Sequence, residues 1–219
     1  MDTDFFKQLI EVVANETERR AALIDADAWE SGSDSWLFRD EPFLRQMFLL
    51  VLVGLWQDVE RHLLSLAVRA RGQGKLLSRQ EYEDGLKQVV SELRKDKKAG
   101  WKKIADDLGF TASEHHSCIE VLWRLANAFK HEPTQRPDHE LLRLLKLSED
   151  VVYGALPESD AVRERLAIAV QLPGDSDFRA IVDKFVSTAE MFLRQLESRP
   201  NLSCIERRPV SLRPRDFAH

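Results

Sequence analysis

Between Met47 and Trp56 the chain carries ten consecutive apolar residues, and this run restricts the fold more than any other feature. Ten residues are about half the length that crosses a bilayer, so the run reads as the buried face of a core helix and no membrane partner is expected. Pro42 suits the first turn of that helix and Gly72 and Gly74 stop it. About thirty residues of helix span about 45 Å, so the element is expected to form the spine of a bundle or to break near Gly54. Nine glycines and eight prolines in 219 residues are about 8% of the chain against a usual roughly 12%, which disfavours a turn-rich sandwich or barrel. The expected fold class is therefore all-α, a helical bundle.

Charge and cysteine usage narrow the function classes. With 32 basic and 37 acidic residues the formal charge is −5, so any nucleic-acid surface must be a local patch. Cys118 and Cys204 are the only cysteines and lack CxxC or Cys/His spacing, so neither a disulfide framework nor a zinc site is indicated. The start, Met1-Asp2-Thr3-Asp4, is acidic where a secretory signal would be basic, and the expected location is cytoplasmic. No GxGxxG, GxxxxGK[ST], HExxH or GxSxG pattern occurs, and no cofactor or metal is expected.

Along the chain, Phe5, Phe6, Leu9, Ile10, Val12 and Val13 recur near helical spacing and predict a first helix from Thr3 to about Ile24. Residues 25–40 read as a loop, with Trp29 and Trp36 packing somewhere. Ser78-Arg79-Gln80-Glu81 is a capping-box pattern that opens a helix to about Lys95. Between Arg94 and Lys103 the chain concentrates basic residues with one tryptophan. Lys97, Lys98, Trp101, Lys102 and Lys103 could grip phosphates while the indole stacks on a base. The reading favoured for the same cluster is a solvated helix end, where cations suit the C-terminal dipole.

A short helix is expected over Ile104 to Leu108, closed by Gly109, and Thr111 or Ser113 caps a longer one to about His131. Leu141, Leu142, Leu144 and Leu145 predict another. Residues 151–172 are β-branched enough to be strand or helix, and the alternatives stay open. Asp175 or Ser176 caps a last helix from Asp177 to Leu196. The organisation expected is a helical domain over 1–198 followed by an extended Arg- and Pro-containing tail, 199–219.

The helix from Glu114 to His131 carries the functional information. At 100° per residue with Arg124 at zero, Cys118, Ile119, Leu122, Leu125, Ala126 and Phe129 fall between about 100° and 220°, the face turned to the core. Asn127 falls at about −60°, Glu120 at about −40° and His131 at about −20°, so Arg124, Asn127 and His131 form one polar stripe. Trp123, at about −100°, is an apolar intruder on a wet face and hints at a covered surface such as a dimer seam.

The stretch from Trp123 to Glu132, WRLANAFKHE, resembles the motif helix of the HEPN superfamily, all-helical domains of which many are metal-independent ribonucleases in toxin–antitoxin and phage-defence systems. The family motif is an Arg, four to six residues, then a His, which Arg124 and His131 match at the six-residue limit. Asn127 keeps the family's polar residue four positions before the His, whereas Ala126 stands where the tightest form of the motif has its Arg. The resemblance implies a HEPN-like homodimer that cleaves RNA to a 2′,3′-cyclic phosphate. In that reaction His131 moves the proton, since histidine is the side chain that titrates near neutral pH. Arg124 binds the charge that develops on the phosphoryl oxygens, and Asn127 orients the histidine or a phosphate oxygen. RNA, a second copy, and an antitoxin or defence-complex protein are the implied partners.

A second expectation follows from the departure at Ala126: a non-catalytic HEPN-like adaptor or dimerisation module that binds a partner protein or nucleotide. In the plainest reading the stripe is the solvated side of an amphipathic helix, with Glu120 pairing Arg124 at i, i+4. His115 and His116 lack a third ligand at helical spacing and read as surface rather than metal, and His62, with no evident partner, reads as structural.

Overall fold

A computed structural model describes residues 3–31, 41–72, 77–95, 100–109, 114–131, 136–149, 156 and 159–198. Among the described residues there are eight helices and no strand: α1 Thr3–Ser31, α2 Glu41–Arg71, α3 Arg79–Lys95, α4 Gly100–Asp107, α5 Glu114–His131, α6 His139–Leu145, α7 Asp160–Ala169 and α8 Phe178–Glu197. No helix among them is long and apolar enough to cross a membrane.

Helix α2 runs unbroken through Gly54. A Cβ at that glycine would stand 3.8 Å from the Phe6 ring of α1, an ordinary contact distance, and Leu52 and Leu55 beside it are fully buried. The helix stops at Gly72, whose N–H donates to the Val68 carbonyl at 3.1 Å. Helix α1 extends to Ser31 rather than ending near Ile24, because Asp25-Ala26-Asp27-Ala28-Trp29-Glu30 contains no glycine or proline to interrupt it. The remainder of the expected 25–40 loop, with Trp36, lies outside the described residues, as do residues 199–219.

Residues 160–169 resolve the strand-or-helix alternative in favour of helix. Ser159 Oγ accepts from the Val162 N–H at 3.3 Å and caps the first turn, and Val162, Leu166 and Ala167 fall on one buried face. Residues 151–155 lie outside the description. The capping box at Ser78 closes in both directions: the Ser78 N–H donates to Glu81 Oε2 at 2.7 Å and the Glu81 N–H donates to Ser78 Oγ at 3.3 Å. Gly109 closes α4 with φ 75°, a left-handed conformation that suits glycine. Asp177 Oδ1 accepts from the Ala180 N–H at 2.8 Å and caps α8.

The chain divides into two compact units, Met1–His62 with Phe110–Arg194, and Leu63–Gly109 with Gln195–His219. The first holds α1, the first part of α2, and α5 to most of α8. Its core includes Ile10, Phe48, Leu52, Ile119, Leu122, Leu125, Leu141, Phe185 and Phe192. Helix α6 packs against both α5 and α7. The second unit is built on the end of α2 with α3 and α4, where Gly85 lets α3 approach α2, since a Cβ there would meet Val68 at 3.0 Å.

Candidate functional site

The buried face of α5 is the one its periodicity predicts. Cys118, Ile119, Leu122, Leu125, Ala126 and Phe129 are all buried, and Val121 and Ala128 widen the buried arc toward Arg124. The Cys118 thiol donates to the Ala169 carbonyl at 3.5 Å, and burial pushes its pKa up.

The polar stripe is not uniformly wet. His131 is exposed and Asn127 half-exposed, but only 16% of the Arg124 side chain is accessible. Its guanidinium contacts three carboxylates. Arg124 Nε donates to Glu120 Oε1 at 3.4 Å, Nη1 donates to Asp138 Oδ2 at 3.2 Å, and Nη2 lies 3.9 Å from Glu140 Oε2. The guanidinium carbon also sits 5.0 Å from the centre of the Trp123 ring, a cation–π contact. Trp123 is thus half-buried and partly covered by its own neighbour in sequence, which accounts within one chain for some of the shielding that the sequence assigned to a second subunit.

Asp138 has a second task. Its Oδ1 accepts from the Leu141 N–H at 2.6 Å, capping α6, while Oδ2 holds Arg124. One carboxylate therefore starts α6 and ties it to α5. Glu140, next along, is held more closely by Arg143, at 2.8 and 3.1 Å. The hydrogen bond and charge of Arg143 hold the Glu140 carboxyl below its ordinary range, with further help from the charges of Arg124 and His139. Sequence reasoning identified Glu120 as a partner of Arg124 and missed Asp138 and Glu140. A capping Asp before a leucine run was the available signal for α6, but nothing in a spacing of fourteen residues marks a tertiary contact.

The basic cluster belongs to the second unit. Trp101 is 4% exposed, buried with Ile104 and Ala105, so its ring is core rather than a platform for a base, which corrects the stacking expectation. The Lys102 ammonium lies 5.8 Å from the Trp101 ring centre, and Lys103 lines a cavity of about 270 Å³ beside Arg71, Glu92 and Asp107. Glu92 is kept below the usual carboxylate range chiefly by its hydrogen bond from Arg71. Among the described residues of the cluster, Lys103 therefore neighbours the carboxylates of Glu92 and Asp107. Lys97 and Lys98 lie outside the described residues.

His62 has a partner after all: its Nδ1 donates to the Asp58 carbonyl one turn back at 2.9 Å, a local helix contact that sequence periodicity allows but does not specify. The side chains of His115 and His116 lie outside the described residues. Among the described residues no group of three His, Cys, Asp or Glu side chains is placed to hold a metal ion. A larger cavity in the first unit, about 560 Å³, is lined by Arg45, Phe48, Asp160, Arg163, Phe178 and others. Arg45 is buried there, donating to Asp160 Oδ1 at 2.6 Å, with its guanidinium carbon 5.9 Å from the centre of the Phe178 ring.

No family model, curated protein or solved structure matches this chain.

Proposed function

We propose that this protein is a HEPN-like helical adaptor, a non-catalytic module that dimerises and uses the outer end of the α5 stripe to hold a partner protein of a toxin or defence complex. The observation that carries this reading is the commitment of Arg124 to Glu120, Asp138 and Glu140. A guanidinium stabilises a phosphoryl transition state by offering unmatched charge to developing oxyanions. One already neutralised by carboxylates, in a site that a phosphate would share with three negative groups, offers little. Asn127 and His131 stay accessible on the same face and are the groups a partner would meet.

The ribonuclease reading draws support from that same accessibility, because a proton-transfer histidine needs an open approach for substrate. The two readings separate in one assay. Purified full chain, incubated with single-stranded RNA in chelator, is expected to leave it intact, with no 2′,3′-cyclic phosphate ends. Cleavage that disappears in both His131→Ala and Arg124→Ala would replace the adaptor with the enzyme.

A further inference from the structure

Helix α1 carries a second apolar line besides the one that enters the core. Phe6, Ile10 and Val13 are buried, whereas Phe5 is 55% and Val12 62% exposed, with Leu9 half-buried between them. At 100° per residue, Phe5, Leu9 and Val12 share an arc of about 60°. Helix α2 has a matching line: Leu50, 48% exposed, half-buried Val53, and exposed Gln46 and Gln57, again within about 60°. The two lines belong to one compact unit and adjoin at Gly54, next to Val53 and one turn from Leu50, where a Cβ would stand 3.8 Å from the Phe6 ring. Three of the five large apolar side chains that stay exposed among the described residues therefore lie on this face. A contiguous apolar surface of this kind marks a place of contact.

The polar positions of the face say what covers it. In a chain that is 32% charged, the exposed side chains interleaved with these lines are the amides Gln8, Asn15, Gln46 and Gln57. The charges of α1 are set aside: Glu11 pairs with Arg179 on α8, and Glu16, at the far end of the line, is matched by Arg19 at 2.8 Å. A two-fold axis lays a patch against its own image, so net charge in the patch would repel itself, and a neutral surface closes. Amide side chains both donate and accept, so each can pair with its own image. A foreign partner drawn by charge to a chain of net −5 would be basic, and between Phe5 and Asn15 or Gln46 and Gln57 these lines offer it no carboxylate. We propose that the α1–α2 face built on Phe5, Leu9, Val12, Leu50 and Val53 is the surface through which two copies of this chain dimerise across a two-fold axis. This deepens the adaptor reading, on whose dimerisation it rests, and moves the seam from Trp123 to α1 and α2.

Analytical ultracentrifugation of the full chain at micromolar concentration tests the face. The native chain is expected to be a dimer whose dissociation constant changes little with salt, because no ion pair holds it. Val12→Glu with Leu50→Glu brings like charges together across the axis and should raise that constant at least about hundredfold. Both side chains are exposed within one copy, so the helical circular dichroism should be unchanged. Val12→Gln with Leu50→Gln, a milder pair that adds no charge, should raise the constant about tenfold. Ile168→Glu with Met191→Glu, at 47% and 42% exposure elsewhere in the same unit, should leave it unchanged, as should Trp123→Glu. A native monomer, a dimer that survives both face variants, or an equal loss in the Ile168 and Met191 pair would overturn the proposal. A native monomer that dimerises once residues 199–219 are removed would overturn it too, with that segment as the occupant of the face. A dimer lost only in Trp123→Glu would overturn the face and keep the adaptor's dimerisation at α5. RNA cleavage by a dimer that the face variants dissociate would instead overturn the adaptor and leave the face standing.

Discussion

Two tryptophan–cation pairs, Trp123-Arg124 in α5 and Trp101-Lys102 in α4, look alike in sequence and behave differently in the fold. Each places a cation within 6 Å of the indole of its neighbour, at 5.0 and 5.8 Å. Trp101 faces inward with Ile104 and Ala105 and is core. Trp123 sits at the border of its helix, half-buried, with Arg124 drawn across it by carboxylates from two helices. A cation beside an aromatic is therefore no measure of a ligand surface. What decides its role is whether the ring or the charge is already spoken for by the fold.

The comparison breaks most visibly in stability. Trp101→Ala should destabilise the second unit by about 3–5 kcal/mol, the range for truncating a buried aromatic, whereas Trp123→Ala should lose about 1–2 kcal/mol because that ring is only partly buried. Urea unfolding followed by circular dichroism reads both, and equal losses would mean that the two rings share one environment. Arg124→Ala comes next, at about 1 kcal/mol, since two of its three partners are largely exposed. Its loss should also raise hydrogen exchange in α6, a change that Lys102→Ala should not produce.

Smaller effects sharpen the contact at Asp138. Asp138→Asn should change stability by only a few tenths of a kcal/mol, whereas Asp138→Ala, which loses the cap, should cost about 1 kcal/mol. Acid should loosen the same contact. The Glu140 carboxyl is depressed below its ordinary 4.5, so its stabilising interactions are present above that value and fade as pH falls through the lower folded value. A melting temperature that declines below about pH 4.5, and declines less in Glu140→Gln, is the expected result. The Cys118 thiol, buried and shifted upward, should resist alkylation at neutral pH until the chain unfolds.

Much of this molecule is legible in one dimension because its signals are local. The apolar run at Met47–Trp56, the capping box at Ser78, the Gly109 stop and the buried face of α5 each depend on residues within a turn or two, so periodicity and propensity suffice. The all-α class follows from the same local rules. Tertiary structure decided the rest: that Trp101 is core, and that Arg124 is held by Asp138 and Glu140 across a connection whose length carries no contact information. A helical wheel can place Arg124, Asn127 and His131 on one stripe, but it cannot say that the next helix folds back on only part of it. That covering is set by where Leu141, Leu142 and Leu145 must go to leave water, and the capping carboxylate of α6 arrives at the arginine as a consequence.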